Sequence, residues 1–366
     1  MDSVSLKPEP VDLAMPETAP PARTRIADDA AMLRAAADLT RELHTANPRI
    51  YWTDFLISVA IGYGALAMAI AAGSVGLGVA AGVMAMLALY RAESFIHEVS
   101  HMKHSSLPGF RLAWNALIGV PLLVPSFMYE GVHNLHHART RYGTAEDPEY
   151  LPLALMKPWT LPAFVLASLF APIALIFRFA VLAPLSVAVP SLRRAVVARY
   201  SGLAINPRFE RRPPDGEAKM LWHRLELVTS LWAIALVAMV GMGVIPLRAF
   251  LIFLSIVSAV AVVNQVRTLV AHLWENDGEP MTVTAQYLDS VNVPPPALLP
   301  VLWAPVGLRY HALHHLIPSV PYHALGEAHR RLKAMLDQDS PYHRANYAGL
   351  PGLVVKITRS TLVRGR

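Results

Sequence analysis

The sequence predicts an all-α, multi-pass integral membrane helical bundle: about four transmembrane helices in two hairpins, further interfacial helices, and a cytoplasmic histidine-rich metal-binding cap. Three observations predict it. First, 54% of the 366 residues are hydrophobic and only 16% are charged, and the mean hydropathy is +0.38. Soluble domains rarely combine so few charges with long apolar runs. Second, the 37 residues from Asp54 to Tyr90 contain no lysine or arginine, enough for two crossings of about 20 residues each. Third, histidines recur in helical register: His97 and His101; His133, His136 and His137; His311, His314 and His315. On a helix, positions i, i+3 and i+4 share one face, so each cluster presents its imidazoles as one edge. Imidazole suits iron, zinc, copper or nickel.

Composition also excludes function classes. There are no cysteines, so disulfides, a cysteine-ligated iron–sulfur cluster and a thiolate nucleophile are ruled out within the chain. The formal charge is +6. Its arginines lie beside apolar runs, where anionic lipid and membrane topology account for them, and no nucleic-acid motif is present.

In chain order, residues 1–26 are rich in proline and acidic residues and are expected to be a disordered tail without a signal peptide. Residues 27–48 read as a soluble or interfacial helix, opened by Asp28 and Asp29 and stopped before Pro48. A membrane domain follows over 49–335. Its first hairpin turns near Gly73 and runs through Arg91 and Glu93 directly into His97. Residues 112–128 are apolar but short and carry two prolines, which favours an interfacial or re-entrant segment. The polar run 138–150 requires water or a polar cavity. The stretch 159–190 is interrupted by Pro162, Pro172, Arg178, Pro184 and Pro190, and reads equally as a broken hairpin or an interfacial pair. A second hairpin, 225–244 and 249–268, delivers the chain to His272. Residues 336–366 form a C-terminal cytoplasmic tail, with an amphipathic helix expected after His323. His44, His223, His323, His329 and His343 are isolated and stand outside the site.

Topology gives a further check. If each hairpin crosses twice, and 159–190 crosses twice or not at all, every cluster and His272 fall on one side. Lys103, Arg139, Arg141, Arg193, Arg194 and Arg211 share that side, whereas the opposite turns carry Arg248. By the positive-inside rule the histidine face is cytoplasmic.

At these clusters the chain resembles the membrane fatty acid desaturase superfamily, the integral-membrane di-iron desaturases, hydroxylases and ketolases. The resemblance covers roughly residues 50–335 and includes the order hairpin, two boxes, hairpin, box. It implies that the box histidines bind two non-haem irons, and that a further histidine just after the last transmembrane helix completes the set. His272 matches that position. The implied metal ligands are therefore His97, His101, His133, His136, His137, His272, His311, His314 and His315, with no catalytic residue beyond them. His104, one turn beyond His101, is an additional possible ligand. Acyl-CoA desaturases carry an asparagine one turn before the extra histidine, whereas this chain has Thr268.

Removing hydrogen from an unactivated methylene is beyond any protein acid or base, so O2 activated at a redox metal is required. The resemblance implies fatty-acyl desaturation with O2 as co-substrate. The alternatives are lipid hydroxylation and carotenoid ketolation or hydroxylation, the last suggested by Pro318 and Pro321 after the third box. The substrate is expected to be a membrane lipid or acyl chain, and electrons to come from a separate ferredoxin or b-type cytochrome with its reductase. Glu98, Glu130, Glu146, Asp147, Glu149, Asp277 and Asp289 are candidates to orient the imidazoles. A more distant reading takes His97, Glu98 and His101 as the HExxH of an intramembrane zinc metalloprotease, which leaves the other two boxes unexplained.

Overall fold

The computed structural model describes residues 26–103 and 105–364. The expected disordered tail, Ile26 apart, lies outside the described residues, and so does His104. Among the described residues the chain is helical, without named strands: α1 (Ala30–Leu39), α2 (Pro48–Ala71), α3 (Val75–His101) and α4 (His133–His136); α5 (Thr160–Ala188); then α6 (Pro190–Arg199), α7 (Gly216–Gly241), α8 (Leu247–Leu269), α9 (Val283–Asp289), α10 (His311–Leu316), α11 (Leu325–Met335) and α12 (Leu350–Arg364). Five of these, α2, α3, α5, α7 and α8, are long and apolar enough to cross a membrane. Their outward faces are apolar, as in Leu56, Ile57 and Ile61 of α2 and Leu227, Leu231 and Ile234 of α7. In lipid, such helices satisfy their own backbone groups. This is a multi-pass helical membrane protein.

Local chemistry sets the helix starts. The Asp29 carboxylate caps α1 by accepting from Met32 N–H at 2.8 Å, and α1 buries Met32 and Ala36 against Leu325 and Leu332 of α11. The Asn47 side chain caps α2 at Arg49 N–H, 3.0 Å, with Pro48 at the first helical position, where no N–H is needed. The α2–α3 hairpin turns between Ala71 and Val75, as expected. It packs closely because Gly62 faces Leu89: a Cβ there would lie 2.7 Å from Leu89 Cδ2. Tyr51, Phe55, Phe95 and Phe110 fill its histidine-side end, with Tyr51 and Phe110 edge-to-face at 5.7 Å.

Two elements differ from the sequence reading. Helix α7 begins at Gly216 rather than at 225, because its first turns are polar on one side yet bury Trp222 against Phe127, stacked at 4.7 Å. An apolar-run criterion starts such a helix too late. The stretch 159–190 is one broken helix, not a hairpin. Pro172 and Pro184 lack the N–H that would bond one turn back, and beside them α5 tightens to a 3-10 turn at Ala167–Phe170 and widens to a π turn at Arg178–Leu182.

Helix α5 is wedged between α8, where Ser258 donates to Leu169 O at 2.9 Å, and α7, where Arg178 donates to Glu226 at 2.5 Å. It leaves the histidine side at Leu161, packed in the cluster that holds Trp274. The chain is back there at Leu203, whose N–H reaches Met128 O at 2.8 Å. Between those points it makes no net crossing, so both hairpins open onto one side.

A strip at 289–293 locks the later elements together. Leu273 N–H donates to Asp289 O at 2.6 Å, Val291 N–H to Ala271 O at 2.9 Å, and Val293 N–H to Arg309 O at 2.7 Å. His272 and the third box are thereby held in register. Helix α12 returns to the same region and buries Leu353 and Ile357 beside Trp274.

Candidate metal centre

All nine histidines named from the sequence converge, although they come from α3, α4, the turn after α8 and α10. They form two groups, His97, His101, His133, His137 and His314, and His136, His272, His311 and His315. Within each group the imidazole nitrogens that could hold a metal lie within 4.8 Å of one another. The groups abut, the His137 and His315 rings stacking at 4.2 Å.

The donor chemistry fits a transition metal held by nitrogen. Nε2 atoms face one another at 3.0 Å for His133 and His137, 2.9 Å for His272 and His311, and 3.0 Å for His101 and His314. So many converging imidazole nitrogens cannot all be paired donor to acceptor, whereas a shared cation takes every lone pair. Both ring nitrogens of His97 are buried without a hydrogen-bond partner among the described residues. Burial, the largest cause in every case, holds His133, His137, His272, His311, His314 and His315 well below the ordinary histidine range. They are neutral near pH 7, the form a metal ligand must have.

Carboxylates set the tautomers on one side of the centre. The buried Asp147 takes His136 Nδ1 at 2.9 Å. Burial lowers the His136 pKa, but Asp147 and then Glu149 and Asp289 outweigh it and raise it overall. Glu149 takes His133 Nδ1 at 3.0 Å, with Tyr129 Oη 2.9 Å from the same nitrogen. Burial pushes the Glu149 carboxyl up to about 7, against the pull of His136. His272 Nδ1 meets Tyr142 Oη at 2.8 Å, and the Tyr142 hydroxyl donates to Asp289 at 2.8 Å. Gly143, at φ +71°, makes the turn that brings Asp147 in, its N–H donating to Asp147 at 2.8 Å.

Three of the seven acidic candidates thus orient imidazoles: Asp147 and Glu149 directly, Asp289 through Tyr142. Glu130 pairs with Arg111 at 3.5 Å, Glu146 with Arg141 at 3.6 Å, and Asp277 is exposed. Glu98 accepts from the Tyr51 hydroxyl and from Tyr322 N–H at 3.1 Å. It is held by structure rather than free as the base that a zinc protease requires. Thr268 donates to Asn264 O at 2.9 Å instead of reaching toward the histidines. Tyr129 and Tyr142 were not singled out from sequence. Tyr129 stands one helical turn before His133 and could have been; Tyr142 carries no such signal.

Beside the first group lies a cavity of about 570 Å³, bordered by His97, Tyr129 and Glu149 and walled by Leu122, Phe164, Ala171, Leu175 and Val257.

The chain is 50% identical over 326 residues to a protein of Caulobacter vibrioides named ceramide hydroxylase, an alignment covering 89% of this chain and 93% of that protein. A family model described as Fatty acid desaturase matches residues 72–347. Three histidine boxes brought together at the ends of membrane helices and a match across most of the sequence lead to one assignment: this chain belongs to the fatty acid desaturase family.

Proposed function

We propose that this membrane oxidoreductase is a di-iron lipid hydroxylase that inserts an oxygen atom from O2 into the aliphatic part of a ceramide. The similarity to the Caulobacter ceramide hydroxylase carries this reading, and the cavity beside His97 supports it. In this reading the nine histidines would hold two irons, one at the group of five and one at the group of four. Bound there, the two irons supply the O2 activation that no side chain can provide.

The chain's own residues do the rest. Asp147, Glu149 and the Tyr142–Asp289 pair hold the Nδ1 atoms of His136, His133 and His272, which turns each Nε2 inward and fixes its tautomer. The cavity walls hold an aliphatic chain beside His97 and keep water away from it. Residues 49–335 form the catalytic unit, with 27–48 and, among the described residues of the tail, 336–364 packed onto it. The basic residues on the histidine side support a cytoplasmic location for that face by the positive-inside rule, and would steer an acidic electron donor, a separate ferredoxin or b-type cytochrome.

Desaturation, the reaction suggested by the boxes, begins with the same hydrogen removal and diverges only in how the substrate is held. Expression in a ceramide-containing host, with mass spectrometry of the lipids and iron quantified per chain, separates the two. Ceramide with one added oxygen, absent with His136→Ala, is the expected product. Lipids that lose two hydrogens without gaining oxygen would overturn hydroxylation.

A further inference from the structure

The charged residues of the α3 turn that leads into the site are not treated alike. Arg91 is closed off by Asp54, its Nε and Nη2 donating at 2.7 and 2.6 Å. Glu98 is closed off by Tyr51 and Tyr322. Glu93, between them in sequence, has neither hydrogen bond nor ion pair among the described residues, and it lines the cavity. To the same lining α8 contributes Asn264 and Arg267, the latter beside Tyr90 of α3. The Arg267 Nε is buried without a partner. Most of the remaining wall area is apolar, and the other charged residues on it are already paired, Arg178 with Glu226, Arg199 with Glu210 and Glu149 with His133.

An unpaired carboxyl and an unsatisfied guanidinium N–H are costly inside a membrane protein, and such groups face a functional cavity far more often than lipid. An aliphatic chain alone satisfies neither. A carboxyl facing a ligand calls for N–H or O–H donors, whereas Arg267 and the Asn264 amide can serve a carbonyl. Ester-linked acyl groups offer only acceptors at their polar end. A ceramide head offers an amide N–H, hydroxyls and a carbonyl together.

We infer that Glu93, Asn264 and Arg267 form the subsite that recognises the amide and hydroxyl groups of the lipid, and that they select ceramide over ester-linked lipids. This rests on the ceramide reading of the preceding subsection. Glu93 precedes His97 by four residues, about 6 Å along the helix axis. The carbon presented to the metal centre therefore lies a few bonds from the amide rather than in mid-chain.

The test is binding, measured apart from turnover. The full-length, iron-loaded protein in detergent is titrated with a ceramide and with a diester lipid of matched chain lengths, and thermal stability is followed. The wild type is expected to prefer ceramide. Glu93→Leu should weaken ceramide binding roughly tenfold or more, the loss expected when a hydrogen bond to a charged group is removed, while diester binding and iron per chain stay unchanged. Asn264→Leu should lose part of the same preference, and Glu93→Gln should keep part of it because its carbonyl still accepts.

A wild type that prefers ceramide alongside a Glu93→Leu variant with the same preference would sink this subsite and leave the hydroxylase reading standing. A wild type without the preference, making no oxygenated ceramide, would remove that reading and this inference with it. Fragment-ion mapping of the product adds a second criterion: oxygen in mid-chain contradicts the placement.

Discussion

The second and third histidine boxes share one motif and are held in opposite ways. In the second box the side chains are fixed: His133 and His136 each give Nδ1 to a carboxylate, Glu149 or Asp147. In the third box the Nδ1 atoms of His311 and His314 are buried without a partner among the described residues, and the backbone is fixed instead. Leu313 N–H donates to the buried Asn292 side chain at 3.0 Å, and Ala312 N–H to Val291 O at 3.1 Å. The motif alone guarantees that imidazoles share a face. Whether their tautomers are set before metal binds depends on residues outside the motif. The second box is prepared by its neighbours, and the third waits on the metal.

The most severe way to break this comparison is to remove a ligand from the prepared side. On the di-iron reading proposed above, His136→Ala deletes one of the four imidazole nitrogens in its group and is expected to abolish turnover and lower iron from two per chain toward one, read by elemental analysis. Next is Asp147→Asn, which keeps the size of the side chain but cannot accept from His136 as a carboxylate does. Loss of such a partner typically costs 10–100-fold in metal affinity or activity. Asp147 also accepts from the N–H groups of Gly143 and Glu149, each at 2.8 Å, so this variant should fall at the upper end, measured as iron retained against a chelator.

The third box should respond through stability. Asn292→Ala leaves the buried Leu313 N–H unsatisfied and is expected to cost about 1–3 kcal/mol, seen as a lower melting temperature in the apo and iron-loaded protein alike. Removing iron from the wild type should leave the His311 and His314 imidazoles in mixed tautomers while His133 and His136 keep one each, read from their ring-nitrogen NMR shifts. A single tautomer at all four rings in the apo protein would end the distinction drawn between them. A smaller effect is expected for Tyr129→Phe, because His133 Nδ1 keeps Glu149 when the hydroxyl is gone. Turnover should drop by a few-fold, well short of the Asp147→Asn loss.

How much of this was legible in the sequence follows from the same contrast. Ligand convergence was legible, because helical spacing alone places His133, His136 and His137, or His311, His314 and His315, on one edge. The two hairpins were legible because charge-free length is a direct requirement of the bilayer. What sequence could not show was pairing across long separations. Tyr142 reaches His272 and Asp289 from more than a hundred residues away, and Arg178 meets Glu226 and, through it, Arg193. The path of α5 was undecidable because its prolines bend the helix without ending it. Glu93 read as a charge at the helix exit; only the cavity shows that it faces inward.

The smallest expected effect makes the sharpest control. Glu146 and Asp147 are adjacent acids and equal candidates by sequence, yet the Glu146 side chain is 71% exposed and that of Asp147 is 0% exposed. Among the described residues the Glu146 side chain pairs with Arg141 alone, at 3.6 Å, and an exposed pair of that kind contributes about 0–1 kcal/mol. Its backbone N–H sits 3.3 Å from Thr144 Oγ1 whatever the side chain is. Glu146→Gln should therefore leave iron content, melting temperature and turnover within error of the wild type. If it instead matched Asp147→Asn, the loss would arise from disturbing the 143–149 loop as a whole, and the His136–Asp147 contact could not be credited with orienting the ligand. An unchanged Glu146→Gln beside an impaired Asp147→Asn assigns the effect to that one carboxylate.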